Sequence, residues 1–331
     1  MRKPYILLLA FILFCSHDLY IKMDHYFLKP NDVGLLSLYN GTFEKSENII
    51  TRDRMLDASM VSHGERSAID PTHWEDQDST ITQLAFYTKA PGTYLVGVST
   101  KARNISLTAD KFNDYLKHDG VLDMLEERTK DSLLNQDAVE SYQKHVKAIY
   151  QVGDDHTSDW STILGYPIEF VPQANPYETN TGEKLPVQLL LDGKPLANQL
   201  VYADHIESVH AHDHGHDHDH GHDHSHDHGH QDEEHDHSDH AHDSGEQLRT
   251  NDQGIVEVSL PHDGIYYLRT IHMTTVTNSD ELTHESKWAT LSFEARHLHD
   301  HDEAGGIQLW VILLGSLLVV GVLFFAFRKK G

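Results

Sequence analysis

The sequence predicts a mainly β protein with a small helical patch, built as two β-sandwich-like domains with one C-terminal transmembrane helix. Three observations predict this. Short apolar runs alternate or carry β-branched residues, and Asn-Gly, Asp-Gly and Pro-Gly turn signals punctuate them from residue 34 onward. Helical spacing is confined to residues near 109–150. A single uninterrupted apolar stretch, Ile307 to Phe327, is long enough to cross about 30 Å of hydrocarbon.

The elements follow in order along the 331 residues. Arg2 and Lys3 precede an apolar run from Tyr5 to Cys15, the pattern of a secretory signal over residues 1–16, and cleavage after Ser16 would make His17 the mature N-terminus. Residues 17–175 form the first β-rich domain. In it, Gly34 to Tyr39 is a strand ending at an Asn40-Gly41 turn, and Leu84–Tyr87 with Tyr94–Val98 flank Pro91-Gly92 as a hairpin. Thr108 caps a helix from Ala109 to His118, with Phe112, Tyr115 and Leu116 on one face. Asp137 and Glu140 open a second helix, because Val139, Tyr142, Val146 and Ile149 recur at three- and four-residue steps.

A turn-rich stretch from Pro172 to Glu183 leads into the second β-sandwich, residues 176–296. Val187, Leu189 and Leu191 alternate before Asp192-Gly193, and Asn198 to Tyr202 continue the chain. Asn251 to Gly254 starts another hairpin with Val256, Val258 and Leu260 on one face; Asp263-Gly264 leads into Ile265–Ile271, and Trp288–Phe293 is the last strand. A linker (297–306), the membrane helix (307–327) and a cytoplasmic tail (328–331) complete the chain. Arg328, Lys329 and Lys330 follow the apolar run while Asp300, Asp302 and Glu303 precede it, so the tail is expected in the cytoplasm and the bulk outside it.

The second domain carries an insertion, residues 205–243, that no packed core can use. Fifteen histidines stand in it: His210, His212, His214, His216, His218, His220, His222, His224, His226, His228, His230, His235, His237, His240 and His242, mostly alternating with Asp and Gly. Imidazole suits zinc, nickel, cobalt and copper. In an extended chain His-x-His spacing sets alternate rings on one side, so two or three can close around one ion. The intervening aspartates can hold the imidazole tautomer and raise the local cation concentration. Aspartate and glycine alone would make a solubilising linker, so that reading leaves the histidines unexplained. A pH-responsive charge brush is the remaining alternative. Weaker metal candidates are His297, His299 and His301 before the membrane helix, and His17, whose α-amino group and imidazole could chelate one ion with a third ligand from His272 or His284.

A formal charge of −26 excludes nucleic acid as a partner and favours cations. The one cysteine, Cys15, falls in the signal, so metal ligands must be His, Asp and Glu. No GxSxG, P-loop or GxGxxG motif is present, and His284-Glu285 lacks the second histidine of HExxH. The chain is therefore expected not to be an enzyme.

Several blocks resemble a bacterial family of uncharacterised extracytoplasmic domains linked to nickel and cobalt uptake. They are His17-Asp18-Leu19-Tyr20, Phe27-Leu28-Lys29-Pro30, Asn40-Gly41-Thr42-Phe43 and Gly165-Tyr166-Pro167-Ile168-Glu169-Phe170-Val171-Pro172. Leu190-Leu191-Asp192-Gly193-Lys194-Pro195-Leu196, Thr283-His284-Glu285-Ser286 and Trp288-Ala289-Thr290-Leu291 complete the set. The resemblance implies Ig-like or transthyretin-like domains, a mature chain starting at histidine, and an accessory role beside a membrane metal transporter. The expectation is a single-pass periplasmic protein of the cytoplasmic membrane that binds a divalent transition metal, nickel or cobalt first. The rivals are zinc or copper buffering without a transport partner, and a copper enzyme using His17.

Overall fold

The computed structural model describes residues 18–207 and 245–297. Their strands form three sheets of five, ten and four strands. The ten-stranded sheet is the middle layer, and the alternation of side chains along its strands explains why. In Gly92–Thr100, Tyr94, Val96 and Val98 face one way into an apolar core with Leu19, Ile21, Leu36 and Leu38 of the five-stranded sheet, whereas Leu95 faces the other way. There it meets Ile168, Phe170, Leu185, Val187 and Val258 of the four-stranded sheet. In Ala138–Val152, Val146, Ala148 and Tyr150 join the first core and Ile149 the second. The mainly β expectation holds, with sandwich-like packing on both faces of one sheet.

Two short helices, α1 (Ala109–His118) and α2 (Leu122–Lys130), cover the end of the face that the five-stranded sheet leaves open. Phe112, Leu116 and Met124 pack there on Ile271, Met273 and Trp288. The start of α1 is as expected, but the Thr108 side chain makes no capping bond; the Asp137 carboxylate accepts the Ala109 N–H instead, at 2.9 Å. Gly120 ends α1 with φ of 71°, and an added Cβ would lie 2.2 Å from the Tyr202 hydroxyl.

The helix expected from Asp137 is instead the 15-residue strand Ala138–Val152. Its last nine residues are buried on both faces, so apolar residues fall on both sides and mimic a helical stripe. The expected hairpin around Pro91-Gly92 is also absent. Ile81–Tyr87 pairs with Val33–Gly41 in the five-stranded sheet, while Gly92–Thr100 lies in the middle sheet, so the turn passes the chain between layers. Asn251–Gly254 behaves likewise: Glu246–Arg249 belongs to the middle sheet and Ile255–Ser259 to the outer one. Asn40-Gly41 lies within its strand, beside a bulge, and the chain turns at Thr42–Lys45. Asp192-Gly193 does make the expected tight turn, with φ of 48° and 74°.

The boundary expected at 175/176 does not separate two sheets. His284–Ala295 pairs in parallel with Ala138–Val152, from Glu140↔His284 to Ala148↔Ser292, and joins strands from both sides of it. Among the described residues no helix is long and apolar enough to cross a membrane, and residues 307–327 lie outside them.

Candidate metal centre

The histidine insertion is rooted in two neighbouring strands. Leu200–Glu207 and Glu246–Arg249 run antiparallel, from Leu200↔Arg249 to Ala203↔Glu246, at one edge of the middle sheet. An insertion between adjacent antiparallel strands needs no crossover and disturbs no inner strand. The Arg249 guanidinium holds both Asp123 carboxylate oxygens of α2 at 2.9 Å, tying the edge strand to the helices. The fifteen expected ligands from His210 to His242, with His17, His299 and His301, lie outside the described residues.

Of the other expected ligands, His272 and His284 sit on opposite faces of the middle sheet, so they cannot share one ion. His272 pairs with Lys287 across the ladder, and its Nδ1 meets the Gln199 amide oxygen at 2.9 Å. Burial and then Lys287 lower its pKa. His284 lies under α1, its ring 4.7 Å from that of Phe112 and its Nδ1 2.7 Å from the Thr283 hydroxyl. Burial, reinforced by Arg128, lowers it to about 4, so this imidazole is neutral at pH 7. His297 is exposed beyond the last strand. Among the described residues no group of three His, Cys, Asp or Glu is placed to hold a metal. The insertion is expected to begin at residue 205, but His205 belongs to the strand Leu200–Glu207, and it comes together with His262, which the sequence does not single out, with ring centres 6.0 Å apart. Only strand register brings them together; their separation in sequence hides them.

The profile of a domain of unknown function, DUF4198, matches residues 15–274. The chain belongs to the DUF4198 family. None of the curated proteins compared matches it. Solved structures with some likeness include the D0–D1 domain of intimin, at 9% identity over 83% of this chain and 97% of that one, with a TM-score of 0.18. The Yersinia pseudotuberculosis adhesin InvE aligns at 11% identity over 84% of this chain and 58% of its own, with a TM-score of 0.20. Three N-terminal domains of the bacteriophage RB49 outer capsid protein Hoc align at 9% identity over 83% and 59%, with a TM-score of 0.16. TM-scores this low carry no argument about fold or activity.

Two polar constructions interrupt the cores. The first is an ion pair between the outer and middle sheets. Lys147 Nζ lies 3.0 Å from Glu169 Oε2, both side chains being 1% exposed. Lys147 also donates to the carbonyls of Thr162 and Phe170, and Glu169 accepts the N–H groups of Leu164, Gly165 and Tyr166 at 2.8–3.2 Å. Burial pushes the Lys147 pKa down and Glu169 pulls it back up. The Gly165–Pro172 block quoted above thus folds around one carboxylate.

The second lies beside Asp18, the first described residue. Tyr20 donates to Asp18 Oδ2 at 3.0 Å, and Arg269 Nε approaches the same oxygen at 3.5 Å. Arg269 also donates to the Asp119 carbonyl and stacks over Tyr202. Nearby, Glu140 Oε1 accepts from Ser286 and Tyr115, while Glu140 Oε2 and Asp119 Oδ2 are buried with no hydrogen-bond partner among the described residues. Burial raises Asp119 to about 6 and Glu140 to about 7, and lowers Lys144 to about 8. A glutamate in the unfolded chain titrates near 4.3. At this carboxyl the folded chain therefore keeps a proton up to about pH 7 that the unfolded one has lost, and Glu140 costs stability as pH rises through that window. Glu140→Gln is expected to gain about 3 kcal/mol on the native chain between pH 4.5 and pH 8, at about 1.4 kcal/mol per pKa unit. Urea unfolding of both chains at each pH checks this. Burial lowers His145, like His284, to about 4; both titrate in either chain and cancel, so a pH-independent difference would count against the raised carboxyl.

Proposed function

We propose that this protein captures divalent transition-metal ions outside the cytoplasmic membrane, with the histidine insertion as collector and nickel or cobalt as first cargo. The observation that carries the reading is the pairing of fifteen closely spaced imidazoles with their point of attachment: the insertion lies between the edge strand Glu246–Arg249 and its neighbour Leu200–Glu207. Removing it breaks no inner ladder, and filling it with metal requires no rearrangement of the cores. The donor set fits several ions at once, because tetrahedral zinc takes four donors and octahedral nickel or cobalt six. With many equivalent imidazoles, ions exchange readily, which suits collection more than storage or catalysis. The apolar run 307–327 supports anchoring beside a membrane transporter, and the blocks shared with the nickel- and cobalt-linked proteins support that partner and that cargo.

Metal titration of the full chain and of a chain with all fifteen histidines replaced by asparagine tests the reading. The native chain is expected to take up several ions, and the replaced chain to lose most of them. Equal stoichiometry in the two would overturn it. Tighter retention of zinc or copper than of nickel and cobalt would favour buffering over uptake.

A further inference from the structure

The foot of the insertion holds a built pair of histidines. His205 lies near the end of Leu200–Glu207 and pairs in register with Tyr266; His262 lies two residues before Gly264–Thr275 begins. Their imidazole planes are tilted by 31° at a centroid separation of 6.0 Å. Tyr266 fixes both. Its ring stacks on His205 at 5.0 Å and 11°. Its hydroxyl accepts the His262 N–H at 3.2 Å and donates to the His262 carbonyl at 2.7 Å. Tyr266 is itself 2% exposed and stacks on Phe293. One buried aromatic therefore orients one ring and pins the backbone that carries the other. His262 is exposed and His205 half-buried, and among the described residues no hydrogen bond reaches either imidazole.

The spacing suits one shared ion. With a metal–nitrogen bond of about 2.1 Å, and about 1.1 Å from nitrogen to ring centre, two imidazoles on one ion have centroids about 5.2 Å apart at the tetrahedral angle and at most about 6.4 Å, so the pair needs to close by only about 1 Å. We propose that His205 and His262 form a fixed two-imidazole site for a divalent transition-metal ion at the foot of the insertion, a site that rests on the capture reading and adds a step to it. His205 stands on a strand and His262 in the bend beside it, and Tyr266 holds the ring of one and the backbone of the other, so little rearrangement is needed to receive a metal. Two protein donors leave the remaining positions to water or to an exchanging ligand, so the pair can receive an ion and give it up. Glu207 and Asp263 lie close enough to act electrostatically on the Tyr266 hydroxyl, and they add the negative potential that a cation needs.

The test uses the full chain with the fifteen insertion histidines changed to asparagine, titrated separately with Ni2+ and Zn2+ at pH 7.5. It is expected to retain one ion per chain. Adding His205→Asn and His262→Asn should weaken that ion at least a hundredfold, and His262→Asn alone, at an exposed position, at least tenfold. Tyr266→Phe, which keeps the stacked ring but frees the His262 backbone, should weaken it about fivefold. Thermal unfolding followed alongside shows that each chain is folded. Retained binding that these substitutions leave unchanged would overturn the site. So would loss of all binding on replacing the fifteen while the native chain still takes up several ions, in which case capture stands without the foot. A native chain that takes up neither ion would bring down both.

Discussion

Glu169→Ala is expected to destabilise the protein by about 3–5 kcal/mol, the range for breaking a buried ion pair from one side. The substitution leaves the Lys147 ammonium at 1% exposure with only the Thr162 and Phe170 carbonyls for company. It also takes the acceptor from three amides, Leu164, Gly165 and Tyr166. Leu164 and Tyr166 are buried, and an orphaned buried amide costs about 1–3 kcal/mol, so their loss adds to that of the pair. Urea unfolding at pH 7 measures the effect. The double variant Lys147→Met with Glu169→Gln should recover most of the loss, since no charge remains buried and the glutamine oxygen can still accept from the loop. A single variant within about 1 kcal/mol of the native chain would show that the carboxylate is not the organiser described here.

Acid should empty the collector over a narrow range. Each imidazole must be neutral to bind metal. One unit below an ordinary imidazole pKa of about 6.5, each donor is about tenfold less available, so an ion held by three loses about a thousandfold in affinity, about 4 kcal/mol. Nickel-loaded protein dialysed stepwise from pH 7.5 to 5.5 against a fixed free-ion level is expected to release most of its metal between pH 6.5 and 5.5. Full retention at pH 5.5 would mean that the donors are not insertion histidines.

What was legible in the sequence followed from burial on one face. Helix α1 was readable because Phe112, Tyr115 and Leu116 face the core while the rest face water. Ala138–Val152 was not, because a strand covered on both sides gives no period of two, and Val139, Tyr142, Val146 and Ile149 come from both faces. The turns at Pro91-Gly92 and Asn251–Gly254 were correctly read as turns, but turn chemistry does not say whether the next strand stays in the same sheet. The proposed metal capture by the insertion rests on composition alone. Glu169 with Lys147, and His205 with His262, depend on pairings between distant residues that a single sequence does not display.

The strand His284–Ala295 occupies the inside of the middle sheet, between Ala138–Val152 and Gly264–Thr275. The last of the described strands is thus the keystone of the widest layer. Until residue 295 has emerged, two long apolar ladders each lack a neighbour, and the nascent chain stays open with high contact order and slow closure. A polypeptide built this way folds late and as a whole.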